Sequence, residues 1–187
     1  AQSVVDEMYQ QELQFRVGPT YKAGEKLVIN PYRINYPQVG RYWSANNIRY
    51  KVVKKTDTER EVVAMNLSYA KKSDKNKVKK VVIPNTVSLA GKTYRVVGVN
   101  KNAFKGLKNL TTVTIGKNVR NIGAKAFYGC KKLKTVKIQT KKCTFSGKSI
   151  WKKTSKKLVV KVPKSALKKM RKQLKKSGLK AKAVKAA

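Results

Sequence analysis

The most regular hydrophobic pattern in the chain is a block of apolar positions that recurs between residues 99 and 162. The second copy repeats the first at an offset of 23, and each has an Ala-Phe-x-Gly segment followed by Leu-x-x-Val-x-Ile. The first copy comprises Val99, Ala103, Phe104, Gly106, Leu110, Val113 and Ile115. The second comprises Ile122, Ala126, Phe127, Gly129, Leu133, Val136 and Ile138. A third, degraded copy at an offset of 24 has Ile150, Trp151, Val160 and Val162, with Lys153 in the glycine position.

A repeat of this length predicts a stack of similar turns, because one turn of about 23 residues cannot bury its own apolar side chains. The alternating end of each copy predicts a short strand. The Ala-Phe-x-Gly segment predicts a compact corner in which the Phe is buried and the Gly permits a tight backbone. The predicted fold class is therefore an α+β repeat protein, a short leucine-rich-repeat solenoid of about three to four turns of about 23–24 residues.

Four motifs resemble one known family, the BspA-like leucine-rich repeats of bacterial and some protist surface proteins. The segments NAFKGLKNLTTVTI and IGAKAFYGCKKLKTVKI resemble its repeat unit. The segments GKTYRVVGV and VVKVPKSALKKMRKQLKKSGL resemble its entry hairpin and terminal helix, so that the resemblance covers about residues 47 to 180. It implies a bacterial protein, secreted or on the cell surface, that binds host or matrix components, other cells or the wall. That the protein is not an enzyme is expected from its residues, which contain no recognisable catalytic constellation.

The segments before the repeats are strand-like. IRYKVVKK (48–55) and REVVAMNL (60–67) predict a hairpin that covers the open end of the stack. VKKVVIPNTV (78–87) supplies a first repeat strand, in which Val81 and Ile83 correspond to Val113 and Ile115 at an offset of 32. This offset is nine residues longer than the 23-residue repeat. The nine extra residues fit an inserted hairpin that turns at Ala90-Gly91-Lys92.

The segment after the repeats predicts an amphipathic helix. Leu167, Met170 and Leu174 share its apolar face, Ser165 is the predicted N-cap, and Gly178 is a C-terminal stop. The whole chain then divides into an unassigned β-rich extension (1–46), a capping hairpin and loop (47–77), the solenoid (78–163), a C-terminal cap helix (164–180) and a tail (181–187) predicted to be disordered.

The charge distribution changes this picture from a plain repeat protein to a candidate polyanion binder. The net charge is +38, and the last of the eight acidic residues along the chain is Asp74. The sequence from residue 75 to residue 187 carries 34 Lys and Arg and no acidic side chain, so its positive field must be screened by salt or met by an external polyanion. Most of these cations are lysines, which suit a general polyanion surface better than a specific guanidinium fork.

Strand alternation directs one set of side chains outward, and strands stacked about 4.8 Å apart align them in columns. The columns are Thr112/Thr135/Val159 and Thr114/Lys137/Lys161. The predicted polyanion-binding face comprises Thr114, Lys134, Lys137, Lys156, Lys157 and Lys161. Its candidate partners are wall teichoic acid, sulfated or sialylated glycan, DNA and surface proteins. The alternative is a solvated lysine coat that only keeps the repeats soluble.

The N-terminal segment leaves two interpretations open. Its aromatic residues either stack on sugars or assemble with a neighbouring copy, or they pack a small satellite core. They are Tyr21, Tyr32, Tyr36, Tyr42 and Trp43. Residues 1–16 predict a short helix, which is either a packed terminus or a docking arm. An alternative function follows, a self-assembling subunit of a surface fibre or layer. A second alternative is non-specific nucleic-acid binding through charge alone.

No catalytic constellation, metal site or cofactor site is predicted. The chain has no histidine and two cysteines, and it has neither a phosphate-binding glycine loop nor a nucleophile elbow. Cys130 and Cys143 fall in inward slots of the repeat and are predicted to be small core residues, bonded or free. The sequence lacks the long apolar run that would predict a transmembrane helix, and the start AQSVVDE is compatible with a mature protein after signal cleavage.

Overall fold

A computed structural model describes residues 37–68, 72–147 and 149–187, and strands dominate this part of the chain. The strands are β1 (Tyr42–Ala45), β2 (Ile48–Lys55), β3 (Arg60–Leu67), β4 (Lys80–Ile83), β5 (Thr86–Leu89), β6 (Lys92–Val99), β7 (Thr112–Ile115), β8 (Asn121–Ile122), β9 (Thr135–Ile138), β10 (Thr144–Phe145), β11 (Val159–Val162) and β12 (Val184–Ala186). The helices are α1 (Lys72–Lys75) and α2 (Leu167–Lys176), with 3₁₀ turns at Lys164–Ala166 and Ala181–Ala183. The predictions made for residues 1–36 lie outside the described residues.

The first sheet consists of the repeat strands, all parallel, in the order β12-β11-β9-β7-β4. Val113 pairs with Val136 in register, and Val136 pairs with Val160. Val81 and Ile83 pair with Val113 and Ile115, as the offset of 32 predicts. Alternate side chains of these strands are buried, because a period of two sends them to opposite faces of the sheet.

The second sheet joins the N-terminal strands to the repeats in the order β1-β2-β3-β6-β8-β10, with β5 on β6. β1, β2 and β3 are antiparallel, and β3 then runs parallel to β6. The two-residue strands β8 and β10 follow at the repeat spacing. Residues 48–55 and 60–67 therefore form the predicted hairpin, which pairs along the first long strand of the repeat region.

β1 adds a third strand to this hairpin. It pairs with β2 through the turn Asn46-Asn47, where both residues have positive φ (50° and 61°). Such two-residue turns favour Asn, because its side chain tolerates the left-handed conformation. The predicted boundary between residues 46 and 47 falls inside this turn, so that β1 lies in the predicted extension but pairs with the hairpin.

The core is built around a stack of three aromatic rings, one from each repeat copy. The rings of Phe104 and Phe127 have centroids 5.7 Å apart and are nearly parallel, with 11° between their planes. Trp151 continues the stack at 5.5 Å and 10°. All three side chains are buried. Trp151 therefore occupies the Phe position of the degraded third copy, as the alignment at an offset of 24 predicts.

Backbone hydrogen bonds join neighbouring corners beside this stack. The N–H of Phe104 donates to the Ala126 carbonyl (2.9 Å), and the N–H of Gly106 donates to the Tyr128 carbonyl (2.8 Å). Gly106, Gly129 and Lys153 hold the same left-handed position in successive corners, with φ of 77°, 75° and 60°. The repeat thus requires this conformation even where the sequence supplies a lysine.

The C-terminal helix α2 closes the far end of the stack. The indole N–H of Trp151 donates to Ser177 Oγ (2.9 Å), which in turn donates to the Leu174 carbonyl (2.8 Å). Gly178, at φ 95°, lets the N–H of Leu179 reach back to the Leu174 carbonyl (3.1 Å), a Schellman end. An indole is therefore favoured over a phenyl ring at position 151, since only the indole carries an N–H donor.

Two predictions at this end are wrong. The N-cap of α2 is Ala166, and no side-chain cap bond forms at the start of α2 or of the 3₁₀ turn before it, so Ser165 does not cap. Pro163 and the 3₁₀ turn that follows it occupy the place where the cap was expected. The tail is not disordered: β12 pairs in parallel with β11, Val160 opposite Val184. Burial of Val184 and the ladder hydrogen bonds account for its order.

The two cysteines are free thiols, and both are buried. Cys130 Sγ lies 3.1 Å from the Phe104 carbonyl. Burial raises the thiol pKa to about 11 for Cys130 and to about 12 for Cys143. Both therefore act as small core residues, as predicted, with little thiolate at neutral pH.

Replacing Lys153 by Gly should stabilise the protein relative to replacing it by Ala. Both variants remove the amine, but only Gly removes the Cβ that makes a φ of 60° costly, by about 1 kcal/mol. Urea unfolding of the two variants measures this difference directly. Equal stabilities would contradict the shared left-handed corner.

The two thiols should resist labelling in the native protein. A thiol reagent such as dithionitrobenzoate at a pH of about 8 should react slowly, because the raised pKa values leave little thiolate and the sulfur atoms are buried. Protein unfolded in urea is the control and should label both sites at once. Rapid native labelling would place the sulfur atoms at the surface.

Candidate functional site

The outward positions of the parallel sheet form two continuous rows across the strands. One row runs Lys80, Thr112, Thr135 and Val159. The other runs Val82, Thr114, Lys137, Lys161 and Lys185. The second row contains the predicted residues Thr114, Lys137 and Lys161 in register, and the structure adds Lys185. We call its three lysines, Lys137, Lys161 and Lys185, the lysine row.

The lysine row places like charges directly opposite one another. Neighbouring strands of a sheet lie about 4.8 Å apart, and like charges at that spacing repel. All three lysines are exposed. The sequence from residue 75 to residue 187 offers no acidic side chain to offset them. The row is therefore a surface of concentrated positive charge.

The other predicted lysines frame the row at the strand beginnings. Lys134 immediately precedes β9, and Lys156 and Lys157 lie in the turn that leads into β11. All three are exposed. They extend the basic surface beyond the sheet but do not belong to the lysine row itself.

Positive charge also surrounds an aromatic ring at the repeat corners. The amines of Lys105 and Lys153 lie 5.7 and 5.6 Å from the centre of the Tyr128 ring. The hydrogen bond from Lys153, together with the charges of Lys153, Lys152 and Lys105, lowers the pKa of the Tyr128 hydroxyl against the opposing effect of desolvation. The phenol thus lies among nearby positive charges.

Of the aromatic residues proposed for sugar stacking or assembly, two lie in the described part of the chain. Trp43 is half-buried and packs against the core. Tyr42 is 46% exposed, and the Arg49 guanidinium covers its ring at 4.5 Å. Tyr21, Tyr32 and Tyr36 lie outside the described residues. For Trp43, the structure shows the packing alternative.

The acidic residues of the hairpin bind the arginines of the repeat region. Glu61, 8% exposed, accepts hydrogen bonds from Nη2 of Arg95 (2.9 Å) and Nη2 of Arg120 (2.7 Å). Arg95 also donates to Glu59 (2.8 Å), which Lys54 approaches from its other side. These contacts lower the pKa of Glu59, the Lys54 hydrogen bond most of all. Part of the positive charge of the repeats is therefore met within the chain.

A family comparison gives these features their context. Residues 74–174 match the model described as a BspA-type leucine-rich-repeat region of six copies. The chain belongs to the BspA-type leucine-rich-repeat family. The repeat fold expected from the motifs is thereby confirmed, and membership is consistent with a role in binding or adhesion.

Solved structures of bacterial repeat proteins are similar to this BspA-type chain. A leucine-rich cell surface protein of Faecalibacterium prausnitzii A2-165 is 20% identical, with a TM-score of 0.49 over 66% of this chain and 30% of that one. A leucine-rich-repeat protein of Bacteroides ovatus ATCC 8483 is 19% identical, with a TM-score of 0.42 over 66% and 38%. The pneumococcal vaccine antigen PcpA is 15% identical, with a TM-score of 0.33 over 70% and 52%.

The BspA-type chain thus spans between 30% and 52% of the length of these proteins. No curated protein matches it. Within the described residues, no cluster of three metal-ligating side chains occurs, and no helix is long and apolar enough to span a membrane.

Sequence reasoning missed Lys185, although the chain contains a signal for it. Val184-Lys185-Ala186 repeats Val160-Lys161-Val162 at the same offset of 24 that relates the third copy to the second. It also missed the cluster at Glu61, for which no local signal exists, because Glu61 and Arg120 are 59 residues apart.

Replacing Glu61 by Gln should lower the free energy of unfolding by about 2 kcal/mol, because two charge-assisted hydrogen bonds to a buried carboxylate are weakened. Urea unfolding at neutral pH measures the loss. Glu59→Gln is the matched control at an exposed carboxylate, and its effect should be smaller. Equal losses of stability in both variants would show that the buried Glu61 pairing contributes no more to stability than an exposed ion pair.

Proposed function

We propose that this BspA-type protein is a non-enzymatic adhesion module, secreted or attached to the surface of a bacterium, that binds acidic polymers through the basic face of its parallel sheet. The repeats form a short solenoid, and the lysine row with Lys134, Lys156 and Lys157 is its contact surface. Teichoic acid and sulfated or sialylated glycans are the polymers that such a surface suits. Membership of a family that includes surface proteins supports the class of function.

The lysine row is the observation that carries the proposal. Lys137, Lys161 and Lys185 face one another across paired strands, so their mutual repulsion is built into the register of the sheet. A bound polymer with regularly spaced anionic groups turns that repulsion into attraction. A solvated coat alone has no need of such alignment, because mixed charges serve solubility equally well.

The mechanism is multivalent contact on a rigid scaffold. Each lysine contributes a weak, exposed charge contact, worth up to about 1 kcal/mol. Several such contacts act together because the polymer, once held at one site, is already close to the next. Binding should therefore depend steeply on salt, since exposed charges are screened within about 10 Å at about 0.1 M.

Removing two charges from the lysine row should weaken binding of heparin, used as a model sulfated polymer. We expect Lys137→Gln/Lys161→Gln to lose about fivefold or more in affinity at about 20 mM salt, and less at about 300 mM. Fluorescence titration of labelled heparin measures both. Lys185→Gln alone should weaken binding to a similar extent as Lys161→Gln alone.

The matched control is Lys168→Gln/Lys172→Gln, which removes the same charge from exposed positions of α2. An equal loss in this control would show that only net charge matters and that the row is a solvated coat. Duplex DNA is the competitor for the nucleic-acid alternative. Displacement of heparin by DNA at equal charge would favour non-specific charge binding over recognition of a surface polymer.

A further inference from the structure

A groove of about 440 Å³ lies beside the parallel sheet, apart from the lysine row. Its walls are the loops that follow β7 and β9, and its base is formed where β3 and β6 meet the segment before β8. The charged residues that line it are Glu61, Arg95, Lys117, Arg120, Lys141 and Lys142. We call it the side groove.

The side groove concentrates positive charge in a concave space. Five cations and one carboxylate line it, which leaves a net charge of +4. The carboxylate, Glu61, is already bound to both arginines. Positive charge that converges on a concave surface attracts anions more strongly than the same charge on a flat one, because low-dielectric walls focus the field.

The guanidinium groups are positioned before any ligand arrives. Glu61 holds Arg95 and Arg120 each through one Nη2 atom, although a guanidinium carries five N–H donors. Arg95 gives a further contact to Glu59, so Arg120 is the arginine with more capacity left, and its side chain is 62% exposed. A fixed guanidinium fork suits the paired oxygens of a carboxylate or sulfate.

Both loops that carry the lysines are also held in place. The N–H of Lys117 donates to Asn85 Oδ1 (2.7 Å), and Asn118 Nδ2 donates to the Asn85 carbonyl (2.9 Å). In the next repeat, Thr140 Oγ1 accepts from the N–H of Lys142 (3.3 Å) and donates to the Lys142 carbonyl (3.0 Å). Ordered loops reduce the entropy lost when a ligand binds.

We propose that the side groove binds a single anionic sugar unit, whose ring carries a sulfate or carboxylate that Arg120, Lys117 and Lys141 engage. The amides of Asn118 and Gln139 also line the groove and can bond ring hydroxyls. None of the described residues lining the groove is aromatic. Stacking of a base or a sugar ring therefore contributes nothing to binding, and the anionic group of the ligand makes the main contacts. The volume matches small-ligand sites, which begin at about 300 Å³.

This site is independent of the lysine row and of the polymer binding proposed for it. Variants therefore separate the two proposals. Lys137→Gln/Lys161→Gln should weaken heparin binding and leave binding of a short anionic sugar unchanged, because the lysine row does not line the side groove. Heparin binding that is unaffected by this variant, together with retained binding of the short sugar, would keep the side groove and refute polymer binding by the lysine row.

The test is calorimetric titration of the full chain with a sulfated heparin disaccharide, with sialyllactose and, as the uncharged control, with lactose. We expect the wild-type protein to bind at least one of the two charged sugars, and lactose at least tenfold more weakly. Lys117→Gln/Lys141→Gln should weaken binding of the charged sugar about fivefold or more. The sulfated disaccharide and sialyllactose distinguish a sulfate from a carboxylate as the recognised group.

Two further variants keep the proposal open to refutation. Arg120→Lys retains the charge but loses the fork, so it should weaken binding of the charged sugar. Because Arg120 also binds Glu61, the titration is made well below the melting temperature of the variant. Lys168→Gln/Lys172→Gln is again the charge-matched control and should leave binding unchanged. An equal loss in the control and the Lys117→Gln/Lys141→Gln variant would overturn the proposal, as would no wild-type binding of either charged sugar below about 5 mM.

Discussion

The in-register stacking of successive repeats is the constraint on which the rest of the structure depends. Phe104, Phe127 and Trp151 stack face to face along one side of the core, and backbone hydrogen bonds join the corners beside them. Each added repeat buries the apolar face of the one before it, which no single repeat can do for itself. The aromatic stack and the strand pairing share one register. Equivalent surface positions of successive repeats therefore lie side by side. The rows on the outer face of the sheet are a direct consequence.

This constraint also governs how the protein uses its two kinds of cation. The three arginines after residue 74 all have structural partners: Arg95 and Arg120 hold Glu61, and Arg171 donates to the Val184 carbonyl (3.1 Å). The remaining cations there are lysines, most of them exposed. Guanidinium groups thus fasten the hairpin to the repeats and the tail to α2, while ammonium groups form the outer surface. Glu61 is placed where it joins elements far apart in sequence.

The repeat explains how far the fold and the site could be predicted from the sequence. The pairing of Val81 with Val113, the outward rows through Thr114, Lys137 and Lys161, and Trp151 in a Phe position all follow from a fixed period and from strand alternation. Contacts that the repeat period does not encode could not be predicted from the sequence. The bond between Arg120 and Glu61 spans 59 residues, and the absence of a Ser165 cap reflects a 3₁₀ turn after Pro163. Such contacts depend on where loops meet in space.

The two ends of the repeat stack are covered by different elements, and at the C-terminal end the strand pairing also continues beyond the last repeat. At one end, β3 pairs with β6 and covers the first repeat. At the other, Trp151 binds the end of α2 while Val184-Lys185-Ala186 still pairs as a further repeat strand would. The outer row changes along the same direction, from Val82, which is 44% exposed, through Thr114 to three lysines. The basic surface is thus densest beside the closed C-terminal end, where the pairing of β12 extends the row by one lysine. Under the proposed function, an acidic polymer would make its strongest contacts there, because the ordered tail adds Lys185 to the lysine row.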